Sequence, residues 1–320
     1  MFDKMMKSFS FYIYVMIFLA FMFTGCSGDR SKDYSSGKVI GKEGTAEEEF
    51  DGPIGIAIDA QGFIYVSDSG NNRIQKFSSD GKFIKAWGSG GTAKGELDRP
   101  MHMTIGPDGN LYVAEYLNDR VQVFHRDGSF VRLIGLKPDG KSYFDAPGGV
   151  AVDENGNVYV ADFYHHQIQK FDAQGRFLES FGRHGFVWAG KLNYPTDVAV
   201  TSDNNLLIAD AYNNRIQKMN FKGKFLKKWG GLLGFGIPWS GRGYFKVVTG
   251  IGMDSDGNIY ATDFYNNRVQ KLSSKGKVLT VFGNKGETTL HYPTDVVVAP
   301  DSSIWVVDFG NNRIVQFKHE

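Results

Sequence analysis

Ten residues, Asp68-Ser-Gly-Asn-Asn-Arg73-Ile-Gln-Lys-Phe77, return in near copy five more times, and this recurrence restricts the fold more than any other feature of the chain. The later copies begin at Glu115, Asp162, Asp210, Asp263 and Asp308, at steps of 47, 47, 48, 53 and 45 residues. A period in the forties, built of short apolar runs between turn residues, is that of propeller blades, because one blade cannot bury its own faces and must stack on neighbours. The full unit is clearest in Pro195-Thr-Asp-Val-Ala-Val200, Leu206-Leu-Ile-Ala-Asp210, Arg215-Ile-Gln-Lys-Met219 and Phe225-Leu-Lys-Lys-Trp229, with turns near Ser202, Tyr212 and Gly223. That is four short strands per repeat, β-branched and aromatic within and Gly or Asn at the joints.

The succession Pro-x-Gly/Asp-Val-Ala-Val, Gly-Asn-Val-Tyr-Val-Ala-Asp and Asn-Asn-Arg-Ile-Gln-Lys resembles the NHL repeat family over residues 36–320. The resemblance implies an all-β, six-bladed β-propeller of four-stranded blades. Ring closure is legible too. The sixth copy ends at Phe317 without a fourth strand, whereas residues 38–53 match 85–100, with Lys38, Gly41, Gly44, Glu49 and Pro53 repeated as Lys85, Gly88, Gly91, Glu96 and Pro100. An N-terminal strand is therefore expected to complete the last blade and remove the exposed sheet edges.

Residues 1–25 read as a signal peptide: Lys4 and Lys7 precede an apolar run from Phe9 to Phe23 that is shorter than a membrane span. The following Phe23-Thr-Gly-Cys26-Ser27 resembles the lipobox of bacterial lipoproteins. That resemblance implies acylation of Cys26, a tether over residues 26–35, and an extracytoplasmic propeller anchored to the cell envelope, with Ser27 pointing to the outer membrane. Cys26 is the only cysteine, so no intrachain disulfide can form. Formal charge is +1, and 0 once residues 1–25 are removed, so nucleic acid is not an expected partner even though eukaryotic NHL proteins bind RNA.

Residues present in every blade are expected to build the ring, since six equivalent positions cannot form one active site. Function should sit where blades differ. Two places after the Pro position the blades carry Gly55, His102, Gly149, Asp197, Gly250 and Asp295, expected to ring the channel. His102, Asp197 and Asp295 are candidate ligands of a divalent metal. The third blade has His165-His166-Gln167 in place of Asn-Asn-Arg, read as a drifted turn.

Aromatic residues follow the strand-ending acid in most blades, and the long loops 182–194 and 230–245 carry Trp188, Trp239 and Arg242. Trp188, Trp239, Tyr164, Tyr212, Tyr265, Phe264 and Arg242 are the candidate ligand-binding set, because exposed large apolar groups signal a partner. No nucleophile elbow, zincin pair or phosphate loop occurs, so no catalytic residue is assigned. The leading expectation is a binding scaffold for a protein, peptide or glycan. The alternative is a metal-dependent lyase or hydrolase at the channel, since peptidyl-hydroxyglycine lyases are similar blade by blade and carry histidines in Pro-His segments. Pro100-Met101-His102 is displaced from that motif by one residue.

Overall fold

A computed structural model describes residues 34–319 except 138, 232–235 and 287; the apolar N-terminal run and Cys26 lie outside the described residues. Within it, the repeated apolar runs form six antiparallel four-stranded sheets. Blade one is Pro53–Ile58, Ile64–Asp68, Arg73–Phe77 and Phe83–Trp87, from channel to rim. Second strands such as Ile64–Asp68 and Val158–Asp162 are buried at every residue, as expected of strands covered on both faces, while the rim strands are partly exposed.

In the sixth blade, Pro293–Val298, Ile304–Asp308 and Arg313–His319 are completed by Tyr34–Ile40. The pairing is antiparallel, with Val39 opposite Val315 and Ile40 opposite Ile314. This closing strand begins at Tyr34, so the ring takes in two residues that the sequence reading gave to the tether. The Tyr34 ring stacks on Phe282 of blade five at 4.6 Å, and its hydroxyl lies 3.1 Å from that of Tyr260.

The core is divided among the interfaces between blades. Tyr112, Val121, Val150 and Phe171 pack together between blades two and three, and Ile40, Phe50, Phe77 and Trp305 between six and one. At roughly 2 kcal/mol for each large apolar side chain buried, one such interface outweighs any single hydrogen bond. Closing the ring supplies the sixth interface.

The repeated acid, Asn pair, Arg and Gln form a clip for the loop that enters each blade. In blade four, Arg215 is fully buried; its Nε donates to Asp210 Oδ2 at 2.7 Å and its other nitrogens donate to the carbonyls of Val187, Trp188 and Lys191. Gln217 donates to the same Lys191 carbonyl and to Asp210. Arg73 and Arg120 grip the carbonyls of residues 45, 46 and 49 and of 92, 93 and 96 in the same way. The second Asn of the pair sits in left-handed backbone, as at Asn72 and Asn267, and its side chain accepts the N–H just before the next blade's first strand, at Arg99 and Tyr292. Short polar side chains tolerate that conformation best.

His165 and His166 fill these same two places in blade three. His165 Nδ1 lies 2.7 Å from Asp162 Oδ2, and His166 Nδ1 accepts the Tyr194 N–H at 3.0 Å. The pair is a structural substitution for Asn-Asn.

Candidate functional site

The six positions two places after the start of each inner strand alternate between a glycine and a polar side chain. The reason is steric: a Cβ on Gly149 would lie 2.5 Å from Asp197 Oδ1, and one on Gly250 would lie 2.6 Å from Asp295 Oδ1. A Cβ on Gly55 would lie 2.7 Å from His102 Cα. Blades one, three and five thus yield the space that blades two, four and six use.

The two carboxylates are held by backbone. Asp197 accepts the N–H of Val198 at 2.8 Å and, across the blade boundary, that of Ile251 at 2.9 Å. Asp295 repeats the arrangement with Val296 and, across the ring closure, Ile56. His102 Nδ1 lies 3.2 Å from Asp295 Oδ2, an ion pair once the imidazole is protonated. The three residues are 3–5% exposed, and one ligand atom from each falls within 4.8 Å of the others.

Burial disfavours the charged imidazole of His102, but the carboxylates of Asp295 and Asp197 override it and raise its pKa to about 9. Burial pushes Asp197 up to about 7, opposed by His102 and reinforced by Asp295. One imidazole and two carboxylates could hold a divalent metal. A cavity of about 240 Å³ adjoins the group and continues along the inner strands between Ile58, Ile105, Val152, Val200, Met253 and Val297.

The aromatic residues gather into two arcs at the end of the ring where these strands start. In the larger arc, across blades two to four, Phe163 lies within 6.3 Å, centroid to centroid, of Tyr116, Tyr164, Tyr194 and Tyr212. Tyr116 donates to the Tyr164 hydroxyl at 2.9 Å, and burial together with that partner pushes its own pKa up. Tyr164 and Tyr212 are 48% and 56% exposed. The smaller arc, on blades five and six, stacks Phe264 on Tyr292 at 4.9 Å, with exposed Tyr265 beside them.

Tyr194 and Tyr292 were not singled out in the sequence. Both stand immediately before the proline of an inner strand, in left-handed backbone, where other blades have Gly52, Arg99, Ala146 and Val247. That shared place is the signal that could have found them.

The remaining candidates lie apart. Among the described residues no ring contact joins Trp188 or Trp239 to either arc; Trp188 is 75% exposed on the loop that Arg215 holds, and the Trp239 carbonyl accepts from Asn266. Arg242 turns towards the rim of blade five and donates to the Leu279 carbonyl.

Comparison with known proteins brings a family into view. The Virginiamycin B lyase family matches residues 42–320. A probable peptidyl-alpha-hydroxyglycine alpha-amidating lyase of Caenorhabditis elegans is 36% identical over 84 residues, which is 24% of this chain and 24% of that protein. The match thus spans about a quarter of the relative's length. Two solved structures share the fold. A catalytically inactive virginiamycin B lyase variant from Staphylococcus aureus, with quinupristin, is 16% identical at a TM-score of 0.60, covering 90% of this chain and 100% of that one. An auxiliary nutrient binding protein from Bacteroides thetaiotaomicron is 14% identical at 0.64, covering 85% and 70%.

Proposed function

From its membership of the virginiamycin B lyase family, six-bladed propellers related to the NHL-repeat proteins, we propose that this chain is an envelope protein taking a peptide-like ligand on the aromatic arc of blades two to four. The observation that carries the reading is the arc itself: four tyrosine rings gathered around Phe163, two of them about half exposed, on positions that the ring does not need for closure. Tyrosine rings offer large contact area at little loss of side-chain freedom, which suits them to recognition. The peptidyl-alpha-hydroxyglycine lyase of the comparison acts, by its name, on a peptide, which supports this class of ligand over a glycan.

Binding is tested by screening the protein against linear and cyclic peptides rich in Phe and Trp. Micromolar binding that competes with tyrosine quenching is expected; no binding by any peptide overturns the reading. Lipidation at Cys26 belongs to the same proposal and rests on the lipobox-like run. Membrane-bound, acylated protein is expected, released by Cys26→Ser; an unmodified Cys26 in mass spectra of the mature protein would contradict it.

A lyase is the second reading, favoured by the family and by one placement: Asp197 and Asp295 stand three residues beyond Tyr194 and Tyr292, so polar channel and aromatic arcs share the same strand starts. Product formation from a peptidyl-alpha-hydroxyglycine, followed by mass spectrometry, separates it from simple binding.

A further inference from the structure

We infer that His166 is an acid-sensitive latch on the aromatic arc: its neutral ring holds the backbone of Tyr194, and protonation of that ring lets Tyr194 go. The inference rests on the reading of the arc as a binding surface and adds its regulation.

Every blade boundary carries a latch of the same design. A residue in left-handed backbone at the end of the clip turn accepts the N–H of the residue just before the next inner strand, which is left-handed too. The bonds measure 2.7–3.0 Å. Asn72, Asn214, Asn267 and Asn312 accept through an amide oxygen, Asp119 through a carboxylate oxygen, and His166 through ring Nδ1.

These acceptors respond differently to a proton. An amide oxygen does not titrate in this range, and a protonated Asp119 would keep its second oxygen as an acceptor. A neutral imidazole has one acceptor nitrogen, and the imidazolium has none. Since Nδ1 takes the Tyr194 N–H, the neutral ring carries its proton on Nε2. Of the six latches, the one at His166 alone is opened by acid.

The latch also stands where opening matters. The Tyr194 ring lies 4.3 Å from His166, 4.8 Å from Phe163 and 5.0 Å from Tyr212, so it joins the histidine to the arc. Left-handed backbone is costly for a tyrosine, so loss of the bond favours another course for this residue and disturbs the rings packed on it.

The surroundings keep the latch closed at neutral pH. Burial comes first in holding His166 below the ordinary histidine value, followed by His184 of the loop entering blade four, 4.5 Å away ring to ring, and by His165 of its own turn. Asp162 opposes them, but its carboxylate is already engaged by His165, Gln167 and Gln169. A folded value below the unfolded one means that the bond contributes fully above the ordinary value of 6.5 and is lost as pH falls through the lower folded value.

The test is hydrogen exchange at the Tyr194 amide of the full chain, from about pH 7.5 to about pH 5, corrected for the intrinsic rate at each pH. Loss of one hydrogen bond should lower the protection about tenfold across that range. His166→Asn, which installs the side chain of four other blades, should keep the protection at both ends. The best peptide of the screen should bind the parent about tenfold more weakly at the acid end, and His166→Asn equally at both. Should that variant fail to fold, the ¹⁵N shifts of the His166 ring in the unaltered protein decide: a proton on Nε2 at neutral pH is expected, and one on Nδ1 overturns the latch. Protection that does not change with pH in the parent, or that falls equally in His166→Asn, also overturns it. A pH-dependent amide in a protein that binds no peptide would support the latch and refute the reading of the arc as a binding surface.

Discussion

Replacing Arg215 by alanine tests the claim that the repeated motif is a mechanical clip. The guanidinium is fully buried, pairs with Asp210 at 2.7 Å and binds three carbonyls of the loop entering blade four. Its removal leaves Asp210 buried with donors from Asn193, Asn213 and Gln217 but without its paired guanidinium. Breaking a buried pair by deleting one partner costs about 3–5 kcal/mol. For a ring of this size, with roughly 2 °C of melting temperature per kcal/mol, Arg215→Ala should melt about 6–10 °C lower. The loop from Arg183 to Lys191 should also become the first site of tryptic cleavage, because its carbonyls lose their anchor. Adding Asp210→Asn should recover part of the loss by removing the stranded charge. An Arg215→Ala protein that melts with the parent and resists trypsin equally would refute the clip.

The channel packing makes a second prediction. Gly250→Ala places a methyl 2.6 Å from the Thr294 carbonyl and from Asp295 Oδ1, so it should destabilise by about 1–3 kcal/mol, whereas Gly90→Ala, which meets nothing nearer than 3.4 Å, should not; equal melting of the two variants contradicts the steric account. In the turn between the first two strands of blade four, the Lys218 ammonium and the Thr201 hydroxyl hold the Asp203 carboxyl down at about 2. Its folded pKa lies below the unfolded value, so its contribution is present above about pH 4 and is lost as pH falls towards 2. Asp203→Asn should therefore flatten that limb of the stability profile, and superimposable profiles between pH 2 and 5 would count against it.

The ring could be read from the chain because its rules are local and repeated. The turn residues, the buried second strands and the missing fourth strand of the last repeat each leave a mark in sequence. Closure by Tyr34–Ile40 follows from the match between residues 38–53 and 85–100. The site was legible only in part. His102, Asp197 and Asp295 could be picked out as departures from glycine, but their convergence to within 4.8 Å depends on the curvature of the whole ring. The aromatic arc was half found: Tyr164, Tyr212, Tyr265 and Phe264 follow the repeated acid, whereas Tyr194 and Tyr292 reach the same surface from the other end of a loop. Trp188, Trp239 and Arg242 stand outside the two arcs: the clip holds the Trp188 and Trp239 carbonyls, and Arg242 donates to the Leu279 carbonyl at the rim. Side-chain chemistry in a long loop does not reveal which way the loop is pinned.

One paired measurement bears on the division of labour between repeated and unrepeated residues. Tyr164→Ala combined with Tyr212→Ala should bind the best peptide of the screen at least tenfold more weakly while melting within roughly 1 °C of the parent protein, as exposed recognition residues do. Undiminished binding, or a melting temperature that falls as far as that of Arg215→Ala, would mean that the arc belongs to the scaffold and that recognition lies elsewhere.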